Sequence, residues 1–195
     1  EDDAIVEYCA DIARQLARFS VFGEPVRAYL DKKATRAATK RWGWVKKGAP
    51  IILEIGGRDV AGGNVSFIRR DSLYTAEEKL ATQSLSKDAF IAAAPDMLVE
   101  IQNNLYQEAK SRLDSNIHRD ITDLKSYFSS DKKHAGWVEV QWVRPTGAEL
   151  DGIVEQLKAL KITIRNVPMD AAPADGPCFF TGRPAVERIL IGRTY

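Results

Sequence analysis

The chain has 195 residues and a formal net charge of +1, and 45% of its residues are hydrophobic and 28% charged, which suffices for one domain or two small ones. No apolar run reaches the roughly 18 to 20 residues that span a bilayer, and no signal-peptide pattern opens the chain. We therefore expect a cytoplasmic protein that does not enter a membrane. Two cysteines, Cys9 and Cys178, are too few for a disulfide framework and indicate reduced thiols.

The first part of the chain alternates between helical and strand periodicity. The predicted elements are a helix over 3–19, a strand over 26–30, a helix over 35–46, a strand over 51–55, a turn over 61–64, a strand over 65–69 and a short strand over 80–85. Gly48 and Pro50 end the second helix. This order predicts an α/β fold with a mixed sheet.

Residues 87–130 are almost entirely helical in pattern, with a break near Asn116. After this segment the prediction is a strand around 137–142, a helix over 146–160, and strands over 162–167, 178–181 and 189–191. The chain thus predicts a second, smaller α+β domain behind a helical linker.

A cationic segment spans residues 24–47. Its acidic residues are Glu24 and Asp31, and its basic residues are Arg27, Lys32, Lys33, Arg36, Lys40, Arg41, Lys46 and Lys47. Trp42 and Trp44 lie among them, a combination that lets a protein bind phosphates and stack on unpaired bases. The structural alternative is a solvated charged helix whose tryptophans lie in the core.

Three blocks between residues 40 and 71 resemble the anticodon-binding domain of prolyl-tRNA synthetases. They read Trp44-Val-Lys-Lys-Gly48-Ala-Pro50, Leu53-Glu-Ile-Gly-Gly-Arg-Asp59 and Ile68-Arg-Arg-Asp71. The tail, Gly176-Pro-Cys-Phe-Phe-Thr-Gly-Arg-Pro-Ala185 followed by Ile189-Leu-Ile-Gly-Arg-Thr-Tyr195, resembles the C-terminal module of the archaeal and eukaryotic type of that family. The resemblance implies a class II anticodon-binding domain over residues 1–86 that lacks its first strand, a helical linker over 87–134 and a C-terminal module over 135–195.

The resemblance and the charge pattern together predict the RNA-binding residues, which are Asp31, Lys32, Lys33, Arg36, Lys40, Trp44, Glu54, Arg58 and Arg69. Glu54 stands in an apolar strand, where an unpaired carboxylate costs several kcal/mol, so it is expected to be paired or to contact a base. Arg58 either forms a salt bridge with Asp59 or faces RNA. Alternation sends Arg69 and Arg70 to opposite faces, so at most one of them faces a ligand.

Some relatives with this module bind structural zinc through four cysteines, whereas this chain has Cys178 alone at the corresponding positions. One thiolate cannot build a tetrahedral site, so zinc is not expected. In such relatives the terminal tyrosine approaches the catalytic domain, which implies the same role for Tyr195; the alternative is a frayed chain end.

The resemblance implies that the chain is the C-terminal part of a longer class II ligase that attaches proline to tRNA(Pro). We expect no catalytic residue and no cofactor in this part, and ATP and Mg²⁺ in the full-length enzyme. Expected partners are the tRNA(Pro) anticodon loop, an upstream catalytic domain and a second copy in a homodimer. The alternative is a stand-alone, non-catalytic RNA-binding or interaction module. A third class, a small-molecule enzyme of α/β type, would need a convergent polar pocket that the sequence does not indicate.

Overall fold

The computed structural model describes residues 2–129 and 136–194, which form two compact units, Glu1–Glu108 and Ala109–Tyr195. The first unit contains helix α1 (Asp2–Leu16), strands β1 (Ser20–Val21) and β2 (Glu24–Pro25), helix α2 (Ala37–Lys47), strand β3 (Ile51–Leu53), helix α3 (Gly57–Gly62), strand β4 (Asn64–Arg69), a 3-10 turn (Arg70–Ser72), strand β5 (Gln83–Ser86) and most of helix α4 (Lys87–Ser115). The α/β class predicted from the sequence is confirmed.

Strands β3, β4 and β5 form an antiparallel sheet in that order, with Leu53 opposite Phe67 and Val65 opposite Leu85. One face of this sheet packs on α1 and α4. The buried core of the unit consists of Ile12, Leu16, Val65, Phe67, Phe90, Ile91, Ala94 and Met97. The helical segment that follows the sheet therefore contributes to the core of the first unit.

One strand prediction for the first unit is wrong, and one helix was not predicted. Residues 26–30 form no strand, because β1 and β2 close a short hairpin and the Val26 N–H donates to the Phe19 carbonyl, 2.9 Å away. The turn predicted at 61–64 is preceded by an unpredicted helix, α3. In α3, Asp59 accepts a hydrogen bond from the Gly56 N–H and stabilises the first turn.

The second unit holds strand β6 (Ile117–His118), helix α5 (Leu124–Ser129), strand β7 (Trp137–Trp142), helix α6 (Ala148–Ala159), strand β8 (Ile162–Asn166) and strand β9 (Glu187–Arg193). The sheet order is β6-β7-β9-β8, with β6 parallel to β7 and the other pairs antiparallel. Its core contains Leu124, Phe128, Val138, Val140, Trp142, Ile153, Leu157, Ile162, Cys178, Ile189 and Ile191.

The predicted helix break at Asn116 is confirmed, although a strand and a separate helix follow it. The predicted strand over 178–181 is wrong: these residues form a turn in which the Gly182 N–H donates to the Cys178 carbonyl at 2.9 Å. The prolines on both sides, Pro177 and Pro184, lack the N–H groups that a regular ladder needs. They form only an isolated bridge with each other.

Candidate nucleic-acid interface

Helix α2 places most of the cationic segment at the surface. None of its residues is fully buried, and it contacts β3. The helix ends at Gly48, whose φ of 85° is left-handed and whose N–H reaches the carbonyls of Trp44 and Val45. Lys46 and Lys47 in the last turn suit the negative end of the helix dipole.

Asp31 joins the extended segment before α2 to the helix itself. Its carboxylate accepts a hydrogen bond from the Trp44 indole Nε1 at 2.8 Å and one from the Lys33 backbone N–H at 3.1 Å. The Lys40 Nζ donates to the Asp31 backbone carbonyl at 3.0 Å. The indole hydrogen bond, helped by the Lys33 N–H and by nearby lysines, holds the pKa of Asp31 below its usual value. The structure thus brings four predicted site residues into one network, Lys33 through its backbone N–H.

Two tryptophans of α2 take part in aromatic contacts. The rings of Tyr29 and Trp44 lie 4.9 Å apart between centroids, and the Lys47 Nζ lies 4.3 Å from the centroid of the Trp44 ring. Trp42 stacks on Tyr74 at 6.3 Å. Trp42 and Trp44 are only partly buried, so the alternative in which both lie in the core is wrong.

Two of these rings are open to solvent: Tyr29 is 68% exposed and Tyr74 is 53% exposed. Sequence reasoning missed both. Tyr29 could have been found from its place at the end of the apolar 26–30 run, but no local signal distinguishes Tyr74.

Glu54 is paired, as the sequence predicted. The Arg41 guanidinium makes two hydrogen bonds to its carboxylate, from Nε to Oε1 and from Nη2 to Oε2, the latter at 2.8 Å. The Glu54 carboxylate raises the pKa of Arg41 further. Arg41 therefore forms a structural contact with the residue directly after β3, which sequence reasoning did not identify.

Arg69 is enclosed by acceptors. It donates to both oxygens of Asp71, at 3.1 and 2.8 Å, and to Glu100 at 2.8 Å. Asn104 adds a hydrogen bond to Asp71 at 2.8 Å. The Arg69 guanidinium lowers the pKa of Asp71, and Asp71, with Glu100, raises that of Arg69. The next residue, Arg70, lies beyond β4 and is exposed.

Arg58 makes no ion pair with Asp59, so the salt-bridge alternative is wrong. Asp59 accepts hydrogen bonds from the Gly56 N–H at 2.9 Å and from the Ser66 hydroxyl at 2.7 Å. Because Asp59 points back to the start of α3 and to β4, the Arg58 side chain is left exposed.

Four predicted site residues present open cationic side chains: Lys32, Lys33, Arg36 and Arg58. Over residues 2–129 and 136–194, none of these four side chains has a hydrogen-bond or ion-pair partner. The same holds for Arg27, Lys46 and Arg70, which the site prediction omitted. Uncompensated cations of this kind attract polyanions.

Cys178 is buried at 2% exposure inside the second unit. Burial raises the pKa of its thiol, but hydrogen bonds from the Thr181 side chain and from the backbone N–H groups of Phe180, Thr181 and Val143 outweigh burial, so the pKa lies below its usual value. Cys9 and Cys178 are free thiols. In the described part of the chain, no three or more His, Cys, Asp or Glu side chains are grouped as metal ligands. Tyr195, predicted to contact a catalytic domain, lies outside the described residues.

None of the described helices is long and apolar enough to cross a membrane.

Comparisons with known proteins match both parts of the chain. Residues 1–93 match the family model of the anticodon binding domain. The whole chain is 62% identical to a proline–tRNA ligase of Sphingopyxis alaskensis, 57% identical to one of Sphingomonas elodea and 54% identical to one of Novosphingobium aromaticivorans. The alignments cover 100% of this chain and 37%, 39% and 38% of those relatives, respectively.

These matches confirm the family resemblance seen in the sequence. The chain spans less than two fifths of the length of the relatives and corresponds to their C-terminal part. The chain therefore belongs, as a C-terminal part, to the proline–tRNA ligase family, and its residues 1–93 are an anticodon binding domain.

Proposed function

We propose that the first unit binds the anticodon loop of tRNA(Pro) and does so on the surface around Asp31 and α2. The observation that carries this proposal is the group of exposed, unpaired cations Lys32, Lys33 and Arg36, which closely follow the exposed Tyr29 in the chain. Single-stranded loops present splayed bases for stacking and phosphates for ion pairing, so such a loop matches both parts of the surface.

In this proposal some residues contact the RNA and others hold the binding surface rigid. Lys32, Lys33, Arg36 and Arg58 contact the RNA directly, since their side chains have no protein partner to give up. Asp31, Lys40 and Trp44 hold the segment before α2 rigid, because their hydrogen bonds join it to the helix. Glu54 and Arg41 fix the helix to the chain directly after β3. A rigid platform lowers the ordering cost of binding.

The test is fluorescence anisotropy of the 195-residue chain with a tRNA(Pro) anticodon stem-loop and with one whose central anticodon bases are exchanged, at low and moderate salt. We expect at least about tenfold tighter binding of the cognate loop, roughly 1.4 kcal/mol, with a preference that survives added salt. Equal binding of both loops that vanishes with salt would leave only nonspecific attraction and would favour the stand-alone RNA-binding or interaction module.

Single substitutions test whether RNA binds to this surface of the first unit. Lys33→Ala and Arg36→Ala should each weaken binding, because each removes one cation near the RNA. Lys125→Ala is the control, since Lys125 is also exposed but lies on α5 of the second unit. A loss of affinity of the same size in the control would contradict the assignment to the first unit.

We infer that the full-length protein is a cytoplasmic, homodimeric ligase that activates proline with ATP and Mg²⁺ and attaches it to tRNA(Pro) in translation. The catalytic domain would lie upstream of this chain and would receive Tyr195. The names of the relatives and the share of their length that the chain covers support this inference. Charging of tRNA(Pro) with radiolabelled proline by the full-length protein tests it; a full-length protein that binds tRNA(Pro) without charging it would support the non-catalytic module.

A further inference from the structure

Arg69 and Arg70 are neighbours in sequence but have opposite surroundings. The Arg69 side chain is 12% exposed and bonded to Asp71 and Glu100. A new contact with RNA would have to break these charge-assisted hydrogen bonds and leave the Asp71 carboxylate, which is only 4% exposed, without its main partner. Arg69 is therefore a poor candidate for contact with a ligand.

Arg70 has the opposite properties. It is exposed, and among the described residues its guanidinium has no hydrogen-bond or ion-pair partner. Its backbone is fixed, because its N–H donates to the Pro50 carbonyl at 2.9 Å directly after β4. The side chain thus starts from a rigid point and ends in an exposed guanidinium that makes no hydrogen bond or ion pair with the described residues.

The Arg70 guanidinium lies against Gly48 at the end of α2. A Cβ atom built on Gly48 would collide with the Arg70 Nη1. The left-handed φ of 85° favours glycine here, and the absence of a Cβ atom leaves the space in which the guanidinium lies. The negative end of the α2 dipole favours a cation at this place.

Gly48 follows Lys46 and Lys47 directly, so the Arg70 guanidinium extends the cationic surface at the end of α2. The planar guanidinium can donate two parallel hydrogen bonds to one phosphate group, which an ammonium group cannot do. These surroundings offer positive charge and no fixed array of acceptors, and therefore suit the RNA backbone better than a base edge.

We propose that Arg70, and not Arg69, is the arginine of this pair that binds RNA, that it contacts a phosphate of the anticodon stem-loop, and that Gly48 positions it. This inference rests on the proposed function of the first unit. It adds a phosphate contact at the C-terminal end of α2, and it predicts that Gly48 acts on binding through Arg70.

The first test is Arg70→Ala in the anisotropy assay with the tRNA(Pro) stem-loop and with the loop whose bases are exchanged. We expect about tenfold weaker binding of both loops and a slope of log affinity against log salt that is smaller by about 1, with unchanged thermal stability. Arg70→Lys should recover only part of the affinity, because it restores the charge but not the paired hydrogen bonds.

The second test compares Gly48→Ala with Gly63→Ala. Both glycines end a short helix in the left-handed region, but no atom lies within 4 Å of the Cβ position at Gly63. Both variants should therefore lose similar stability, whereas only Gly48→Ala should weaken RNA binding. In the Arg70→Ala background, Gly48→Ala should cause no further loss of affinity.

Unchanged affinity of Arg70→Ala overturns the inference, as do equal effects of the two glycine variants on binding. Those outcomes leave the proposed function intact, provided that the wild-type chain still discriminates between the loops. If the wild-type chain binds neither loop, the proposed function and this inference both fail.

Discussion

Asp71 is the most enclosed carboxylate of the ion pairs in the first unit, with 4% of its side chain exposed, and Arg69 and Asn104 donate to it. Such a pair contributes little net stability by itself, but removing one partner leaves a buried charge uncompensated. Arg69 is thus a structural residue whose contribution is measurable by substitution.

Arg69→Met should lower the free energy of unfolding by about 3 kcal/mol, because it keeps most of the side-chain volume and removes the charge that neutralises Asp71. Urea unfolding measures this loss. Arg70→Met is the matched control and should change stability by less than about 0.5 kcal/mol, since Arg70 is exposed. Equal losses in the two variants would contradict the structural role of Arg69.

The ion pair between Arg69 and Asp71 also predicts that the stability of the chain depends on pH. Because Arg69 depresses the pKa of Asp71 in the folded state, the stabilisation is fully present above the unfolded value of about 3.9 and is lost as the pH falls through the folded pKa. The difference in stability between the wild-type chain and Asp71→Asn should therefore shrink as the pH is lowered from 6 into this acidic range. Unfolding curves at several pH values measure it, and a difference that stays constant contradicts the shift.

At the level of single residues, the sequence showed that a side chain must be paired, but it did not show which residue pairs with it. A carboxylate within an apolar strand has to be paired, which predicted the state of Glu54, but its partner Arg41 lies 13 residues away on a helix. Strand alternation separates Arg69 from Arg70, yet only the acids packed around Arg69 decide which arginine is free. Those acids include Glu100, 31 residues along the chain.

At the level of elements, predictions succeeded where periodicity and chain breakers agree. Helix α2 ends at Gly48 as expected, and the long helical pattern stops at Asn116, whose side chain donates to the Arg112 carbonyl at 2.7 Å. The strand predicted over 26–30 is wrong because a strand forms only beside a hydrogen-bonded neighbouring strand. The residues of a segment do not specify whether such a neighbour exists. The strand predicted over 178–181 is wrong because that prediction gave more weight to the apolar side chains than to the flanking prolines, which disfavour a regular strand.

The turn at Cys178 carries a prediction of its own. It is held by the buried thiol, by hydrogen bonds from Gly182 to Cys178 and from Cys178 to Arg183, and by contact of Phe180 with Trp142. Added EDTA should therefore leave the melting temperature of the chain unchanged, whereas Cys178→Ala should lower stability by about 1 to 2 kcal/mol through lost packing. A fall in melting temperature with EDTA would indicate a structural metal.

At the level of the whole molecule, the two units have separate hydrophobic cores. Ile12 is 2% exposed in the first and Ile191 is 0% exposed in the second. Ile12→Val and Ile191→Val remove the same methylene group, so each should cost about 1 kcal/mol. Hydrogen exchange should show lower protection only in the unit that carries the change; loss of protection in both units from either variant would contradict independent stability.

The net charge of the whole chain does not reveal the charge of the cationic segment. Residues 24–47 hold eight basic and two acidic side chains, whereas the net charge of the chain is +1, so the remaining residues are net acidic. A polyanion is therefore attracted to one segment and repelled by much of the rest, which orients the molecules before they touch. Ionic strength should accordingly act mainly on the rate of encounter, and the lifetime of a formed complex should change much less.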